Sequence, residues 1–363
     1  MISDAYENGI NGRDFGALYR RLGYKPFRMN RFEEYSLYAE NRSFLVCDSV
    51  ITFNDRRGRL MALKPDVTLS IAKSCRDDGA TSKFYYDENV YRLDDASGEF
   101  REIMQSGLEC MGAIDLYSEC EVLTLAVRSL ELISGDCVLD VSHVGIPQAV
   151  IADAGVADAE AALKLFAAKN AHGLRALCAE SGVPAAKADA IAELAQMYGG
   201  FAELLPRLRG ILPASAQPAL EELERIYSVM SAAGAADKLR LDFSVISDMS
   251  YYNGVIFRGF VKGVTRAVLS GGRYDNLLKK LGKNAQAIGF AVYRDALAEL
   301  DSAPEYDADV LLLAGDASPE ETILAVNALT ADGKSVRVAR EASADLCCRE
   351  VKKLVKGVPA DAE

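Results

Sequence analysis

KFYYDENVYRLDDASGEFREIMQSGLECMG, residues 83–112, reads as strand, turn, strand, and the rest of the chain is arranged around it. Phe84, Tyr86, Val90 and Tyr91 give a β-type opening, and residues 103–111 form a second extended run that stops at Gly112. Between them Asp94, Asp95, Ala96, Ser97 and Gly98 are turn formers. Gln105 and Glu109 stand four residues apart, which on a strand places both side chains on one face, about 13 Å apart at about 3.3 Å per residue. Arg92 enters from the first arm. Two readings are open at this point. One is a β-hairpin with a solvated polar face; the other is an amide, a carboxylate and a guanidinium converging on a small zwitterion.

Working outward, 363 residues are enough for two or three domains with a large core. Charged residues make up 26% and hydrophobic ones 50%, the balance of a water-soluble globular chain. The net charge of -12 argues against a phosphate backbone as the main partner, because such proteins present a basic face. The first residues, MISDAYENGINGRDF, are polar and acidic, so a secretory signal is not expected. No apolar run is long enough to span a bilayer, and a cytoplasmic location is expected. The eight cysteines form no CxxC and no zinc spacing, so they read as reduced, mostly buried fillers. With His143 and His172 the only histidines, neither a histidine-rich metal site nor a Ser-His-Asp triad is expected. His143 reads as structural. No cofactor is expected.

Helical spacing covers residues 8–23, closed by Gly23, and a second helical segment follows in RFEEYSLY. Residues 45–47 and 50–53 read as strand. Asn54–Arg59 reads as a hairpin turn, and residues 60–63 as the strand pairing back. Pro65 stops that strand and fixes the backbone where Asp66 and Thr68 appear. A helix begins near Leu69, with Thr68 or Ser70 as its cap. A helix over 118–134 and a strand over 136–144 come next. From about Gly145 to Asp237 the chain becomes rich in alanine and leucine, with helical periods at 157–168, 173–181, 185–198, 200–210 and 216–233. Pro184, Pro206, Pro213 and Pro218 are expected at helix starts or breaks. β patterning resumes at Leu239. SGGRYD, 270–275, reads either as a tight turn feeding a helix or as backbone that approaches a ligand. It is neither a P-loop nor a dinucleotide fingerprint. After Pro304 a small unit is expected, with strands at 308–314 and 334–339, a helix at 318–331 begun by Ser318 and Pro319, and a last helix at 346–355.

Five blocks stand in a telling order: LKPDVT at 63–68, VYRLDDASGEFREIMQSGLECMG at 90–112, YYNGVIF at 251–257, GGRYDNL at 271–277 and AIGFAVYRDAL at 287–297. Together they resemble the catalytic domain of histidyl-tRNA synthetases, over roughly residues 5–300. The resemblance implies an α+β fold, the antiparallel sheet of class II aminoacyl-tRNA synthetases with flanking helices. It assigns 1–144 and 238–303 to the catalytic-type domain and 145–237 to a helical insertion. Residues 304–363 resemble a truncated anticodon-binding domain. It also implies a pocket for free histidine. Asp66, Thr68 and Gln105 would surround the α-amino group, Glu109 and Tyr252 would address the imidazole with Tyr251 beside them, and Arg92 would line the pocket. The chemistry fits, since a carboxylate pairs with an ammonium and a tyrosine hydroxyl can donate or accept at a ring nitrogen.

The departures are as informative. The family's GRYREF arginine, which contacts ATP, is replaced by Glu99 in GEFREI. The arginine of Glu-Arg-Leu is replaced by Ala296, and the arginine of RGLDYY by Ser247. Activation of an amino acid by ATP develops charge that fixed cations must stabilise, and loss of one such group costs about 3 kcal/mol. The turn between Arg92 and Gly98 is one residue short, so a register shift would bring in Arg101, yet it repairs neither Ala296 nor Ser247. The motif 1 region, FRMNRFEEY, lacks the proline typical of class II enzymes.

A chain that keeps a histidine pocket without the ATP chemistry resembles the regulatory subunits of ATP phosphoribosyltransferase, the enzyme of the first step of histidine biosynthesis. That resemblance implies no catalysis of its own, a short-form catalytic subunit as partner in a hetero-oligomer, a homodimer core, and histidine as a feedback effector. No membrane and no tRNA partner are expected. The alternatives are a divergent histidyl-tRNA synthetase and an orphan histidine-binding paralogue.

Overall fold

The computed structural model describes residues 14–42, 45, 50–93, 98–246, 251–300, 306–342, 346–355 and 358–361. The described residues divide into two compact units, one within 13–298 and one within 299–363. The 94–97 turn and Ser247 lie outside the described residues, as do most of the strand expected at 45–47 and the first residues of the N-terminal helix.

In the larger unit, α1 (Phe15–Arg20) is capped by Asp14, whose carboxylate accepts from the Ala17 N–H, and a two-residue β1 (Lys25–Pro26) follows. A small sheet of β2 (Phe32–Glu34), β3 (Thr52–Asn54) and β4 (Leu60–Leu63) holds the expected hairpin, with Phe53 opposite Met61, and α2 (Tyr35–Glu40) runs between β2 and β3. Then come α3 (Thr68–Ser74), the long arms β5 (Ser82–Leu93) and β6 (Phe100–Gly112), α4 (Leu116–Ile133) and β7 (Cys137–His143). Val67 stands at the N-cap of α3 without a capping side chain; the acceptor comes from Asp66 just before it, whose Oδ1 takes the Leu69 N–H at 2.8 Å, and not from Thr68 or Ser70. A carboxylate three residues ahead reaches the free N–H groups, whereas Thr68 is already inside the first turn.

The alanine-rich stretch is helical apart from one short strand: α5 (Gly145–Ala154), α6 (Ala159–Ala167), α7 (Ala171–Glu180), α8 (Ala185–Gln196), β8 (Tyr198–Gly199), α9 (Phe201–Ile211) and α10 (Gln217–Ala232). The spacing did not reveal α5, which opens Gly-Ile-Pro and packs Ile146 and Ile151 inward. Pro206 lies inside α9 and is no break; buried Leu204, Leu205 and Leu208 hold the helix although the ring removes one main-chain donor.

β9 (Leu239–Asp242), β10 (Val255–Val261), β11 (Leu269–Arg273), α11 (Asp275–Lys280) and β12 (Gln286–Tyr293) complete the unit. The principal sheet has nine strands in the order β1-β5-β6-β12-β11-β10-β7-β9-β8. The six from β5 to β7 are antiparallel throughout; β1 pairs parallel to β5 and β9 parallel to β7, while β8 pairs antiparallel to β9. This is the class II synthetase-like sheet. Gly271 and Gly272 belong to strand β11 and form no turn. A Cβ on Gly271 would stand 2.3 Å from the Gly289 carbonyl oxygen, so the pair is demanded by close packing inside the sheet. α1 and α4 cover one face, where Tyr19, Phe257, Phe290 and Leu130 are fully buried or nearly so.

The smaller unit has β13 (Ala308–Leu313), α12 (Pro319–Ala331), β14 (Val336–Ala339), β15 (Cys348–Val355) and β16 (Val358–Asp361), paired in the order β14-β13-β15-β16. Ser318 and Glu321 form a reciprocal capping box at α12. The last helix expected at 346–355 is strand β15. It pairs parallel to β13 and antiparallel to β16, and that pairing overrides the helical preference of its lysines and leucine. Val310, Leu312, Ala325 and Leu329 form the core of this unit.

Candidate ligand-binding site

The second face of the principal sheet is open near its centre. Antiparallel register places Gln105, Gly107 and Glu109 of β6 opposite Tyr293, Ala291 and Gly289 of β12. Ala291 and Gly289 are in turn opposite Ser270 and Gly272 of β11. Five positions in this patch therefore carry almost no side chain, and they form a floor. Each glycine is required by a neighbour. A Cβ on Gly289 would meet Glu109 Oε2 at 1.8 Å, one on Gly107 would meet the Tyr86 ring at 2.5 Å, and one on Gly272 would meet Tyr252 at 2.7 Å. Above the floor lies a cavity of about 460 Å³.

All seven residues singled out in the sequence line this cavity: Asp66, Thr68, Arg92, Gln105, Glu109, Tyr251 and Tyr252. Gln105 and Glu109 are 3% and 2% exposed, so the hairpin face is not solvated. Asp66 and Thr68 come from the start of α3, which Pro65 aims at the sheet. Arg92 comes from β5; its Nε donates to the Pro65 carbonyl at 2.7 Å and its Nη2 lies 3.9 Å from Asp66 Oδ2. Tyr251 and Tyr252 pack edge to face with centroids 4.7 Å apart. The next residue, Asn253, holds them in place by donating to Asp275 Oδ2 at 3.0 Å and accepting from the Asp275 N–H at 2.7 Å.

Glu109 is the centre of the polar network. Thr68 Oγ1 donates to its Oε1 at 2.6 Å, and the Tyr274 hydroxyl donates to its Oε2. Burial pushes the Glu109 carboxyl up to about 8, although both donors oppose the shift. Burial also raises Asp66, against the Arg92 charge and the N–H groups of Leu69 and Thr68. The site thus holds a carboxyl that keeps its proton near neutral pH beside a carboxylate matched by a guanidinium.

Sequence reasoning passed over Tyr86, Arg258, Ser270, Tyr274 and Tyr293, which also line the cavity. Tyr86 was visible only as strand material and Tyr274 only as part of SGGRYD. Arg258 had a signal: it is the one charged residue in the apolar strand VIFRGFV. Of the positions that depart from the synthetase pattern, Glu99 is exposed and Ala296 is fully buried with no polar group to offer a phosphate. His143 Nδ1 accepts from the Gly145 N–H at 3.1 Å, and its Nε2 lies 3.3 Å from Glu222 Oε1, away from this cavity. Among the described residues no cluster of three His, Cys, Asp or Glu could hold a metal ion, and no helix is long and apolar enough to cross a membrane.

Such a sheet and cavity define a histidyl-tRNA synthetase-like protein, and the histidyl-tRNA synthetase family model matches residues 10–297. The structure resembles histidyl-tRNA synthetase from Nostoc, with a TM-score of 0.73 at 17% identity over 91% of this chain and 81% of that one. It also resembles an ATP phosphoribosyltransferase regulatory subunit/histidyl-tRNA synthetase from Bacillus halodurans, with a TM-score of 0.77 at 25% identity over 92% of this chain and 88% of that one. In sequence it is 32% identical over 301 residues to the ATP phosphoribosyltransferase regulatory subunit of Caldanaerobacter subterraneus, covering 80% of this chain and 78% of the relative. The chain belongs to the family of ATP phosphoribosyltransferase regulatory subunits, built on a histidyl-tRNA synthetase-like fold.

Proposed function

We propose that this chain binds free histidine in the central cavity and uses it to restrain a partner, the short-form catalytic subunit of ATP phosphoribosyltransferase, in a cytoplasmic hetero-oligomer built on a homodimer of this chain. The observation that carries the reading is the convergence of Asp66, Thr68, Gln105, Glu109, Tyr251 and Tyr252 on one buried cavity. Asp66 and Gln105 take the ammonium; Glu109, held by Thr68 and Tyr274, faces the imidazole with Tyr252. Thr68 and Tyr274 already donate to both Glu109 oxygens, so a ligand lacking the ring nitrogens would leave the carboxyl proton without an acceptor, and buried unmatched donors are costly. Activation of the bound amino acid is absent from this reading, because Glu99 and Ala296 stand where ATP-binding cations would be needed.

Histidine lowers the partner's activity only as far as it binds one arrangement of the complex more tightly than another. The test mixes the purified chain with the catalytic subunit. Co-elution on gel filtration, phosphoribosyl transfer above that of the catalytic subunit alone, and inhibition by histidine are expected together. Separate elution would overturn the reading. Light scattering on the chain alone checks the dimer. The retained amino-acid residues also favour one other reading, a divergent synthetase. Histidine-dependent pyrophosphate exchange by the isolated chain would establish that instead.

A further inference from the structure

Histidine presents a carboxylate as well as an ammonium and a ring, and the groups assigned above account for the last two. Arg92, the cation that the sequence offers for the carboxylate, is already committed to the Pro65 carbonyl and faces Asp66. Position 247, where synthetases of this fold have an arginine, is serine.

Arg258 is placed differently. It lies on β10 directly opposite Ser270, in the row that continues through Ala291 to Gly107. It therefore stands beside the small-residue floor and lines the cavity. Its charge is felt at the Tyr252 hydroxyl, whose ionisation it favours against the larger effect of burial. Its hydrogen bond is a long one, from Nη2 to the Ile246 carbonyl at 3.4 Å. Among the described residues no carboxylate lies within 4.0 Å of it. Its cross-strand neighbour Asp140 feels Asp242, Lys169 and Arg240 instead. Asp66 faces Arg92, so among the described residues Arg258 is the cavity-lining arginine with no carboxylate partner.

We propose that Arg258 is the carboxylate anchor of this pocket, so that the cavity selects the intact amino acid over analogues that lack the carboxylate. This rests on the reading of the cavity as a histidine site. A guanidinium on an anchored strand offers paired donors to a carboxylate, which an ammonium cannot reproduce in geometry.

The experiment is calorimetric titration of the full chain with histidine and with histidinol, which carries a hydroxymethyl group in place of the carboxylate. Wild type is expected to prefer histidine by about tenfold or more, the usual size of one charge-assisted contact. Arg258→Gln is expected to lose that preference by weakening histidine alone, with histidinol affinity held within about twofold. Unchanged histidinol binding also certifies that the variant is folded. Arg92→Gln is expected to weaken both ligands alike. Should Arg258→Gln bind neither, Arg258→Lys decides: a partial histidine preference supports the anchor, and no preference with histidinol still bound overturns it. Persistence of the full preference in Arg258→Gln overturns the anchor and leaves the histidine site standing. No histidine binding by wild type overturns both.

Discussion

The two faces of the principal sheet are built from alternate residues of the same strands, yet they solve opposite problems. On the helix-covered face Leu108, Ile288, Phe290, Leu269 and Phe257 are large and buried, and α4 lies against them. On the cavity face their immediate neighbours are Gly107, Gly289, Ala291, Ser270 and Gly272. One face spends side-chain volume on its own packing. The other withholds it, and lines the space with carboxyls, tyrosines and arginines that burial penalises. A fold does not need such a hole for stability, so the two faces separate residues that hold the protein together from residues that keep a polar cavity open.

The sharpest way to break the comparison is to exchange the two kinds of defect. Phe257→Ala on the packed face is expected to cost about 3–5 kcal/mol in denaturant unfolding and to leave histidine affinity of the folded protein unchanged. Gly289→Ala on the cavity face is expected to cost about 1–3 kcal/mol, because Glu109 must move off the new methyl and the strand must shift to free it from the Leu108 carbonyl, 2.5 Å away. It should nevertheless abolish histidine binding in calorimetry. A Gly289→Ala protein with wild-type affinity would show that Glu109 is not where the ligand sits.

Glu109→Gln sharpens the same point through pH. The carboxyl is raised to about 8, so from its ordinary value up to about 8 the folded protein holds a proton that the unfolded chain has released. Stability of the wild type should therefore fall as pH rises through that window, and flatten above it. The glutamine variant lacks this slope, so its stability relative to wild type should grow from about pH 5 to about pH 8. A constant difference across that range would contradict the assignment. The smallest effect is expected at the exposed Lys164–Glu160 pair of α6, where solvent screens the charges and Lys164→Ala should leave both the denaturation midpoint and histidine binding unchanged.

How much of this was legible follows from the range of the interactions. The arms of the 83–112 hairpin, the start of α12 at Ser318 and Pro319 and the periodicity of α6 to α10 are local signals. The pocket residues were legible because their blocks resemble a known family. The floor was not. Gly271-Gly272 has turn chemistry in isolation, and only pairing with β12 and β10, strands set by distant sequence, makes it sheet. Arg258 stood out as a charge in an apolar strand, yet its place over the floor depends on the same register. β15 failed in the other direction, since its lysines suit a helix until β13 and β16 lie on either side.

The central claim is that the cavity is a sensor for the partnered enzyme. The most direct measurement is the histidine dose response of phosphoribosyl transfer by the catalytic subunit reconstituted with wild-type chain or with Glu109→Ala. The account predicts that both assemble and are active, that histidine inhibits the wild-type complex, and that inhibition is lost or shifted by at least about tenfold in the variant. Equal inhibition of the two complexes would contradict it.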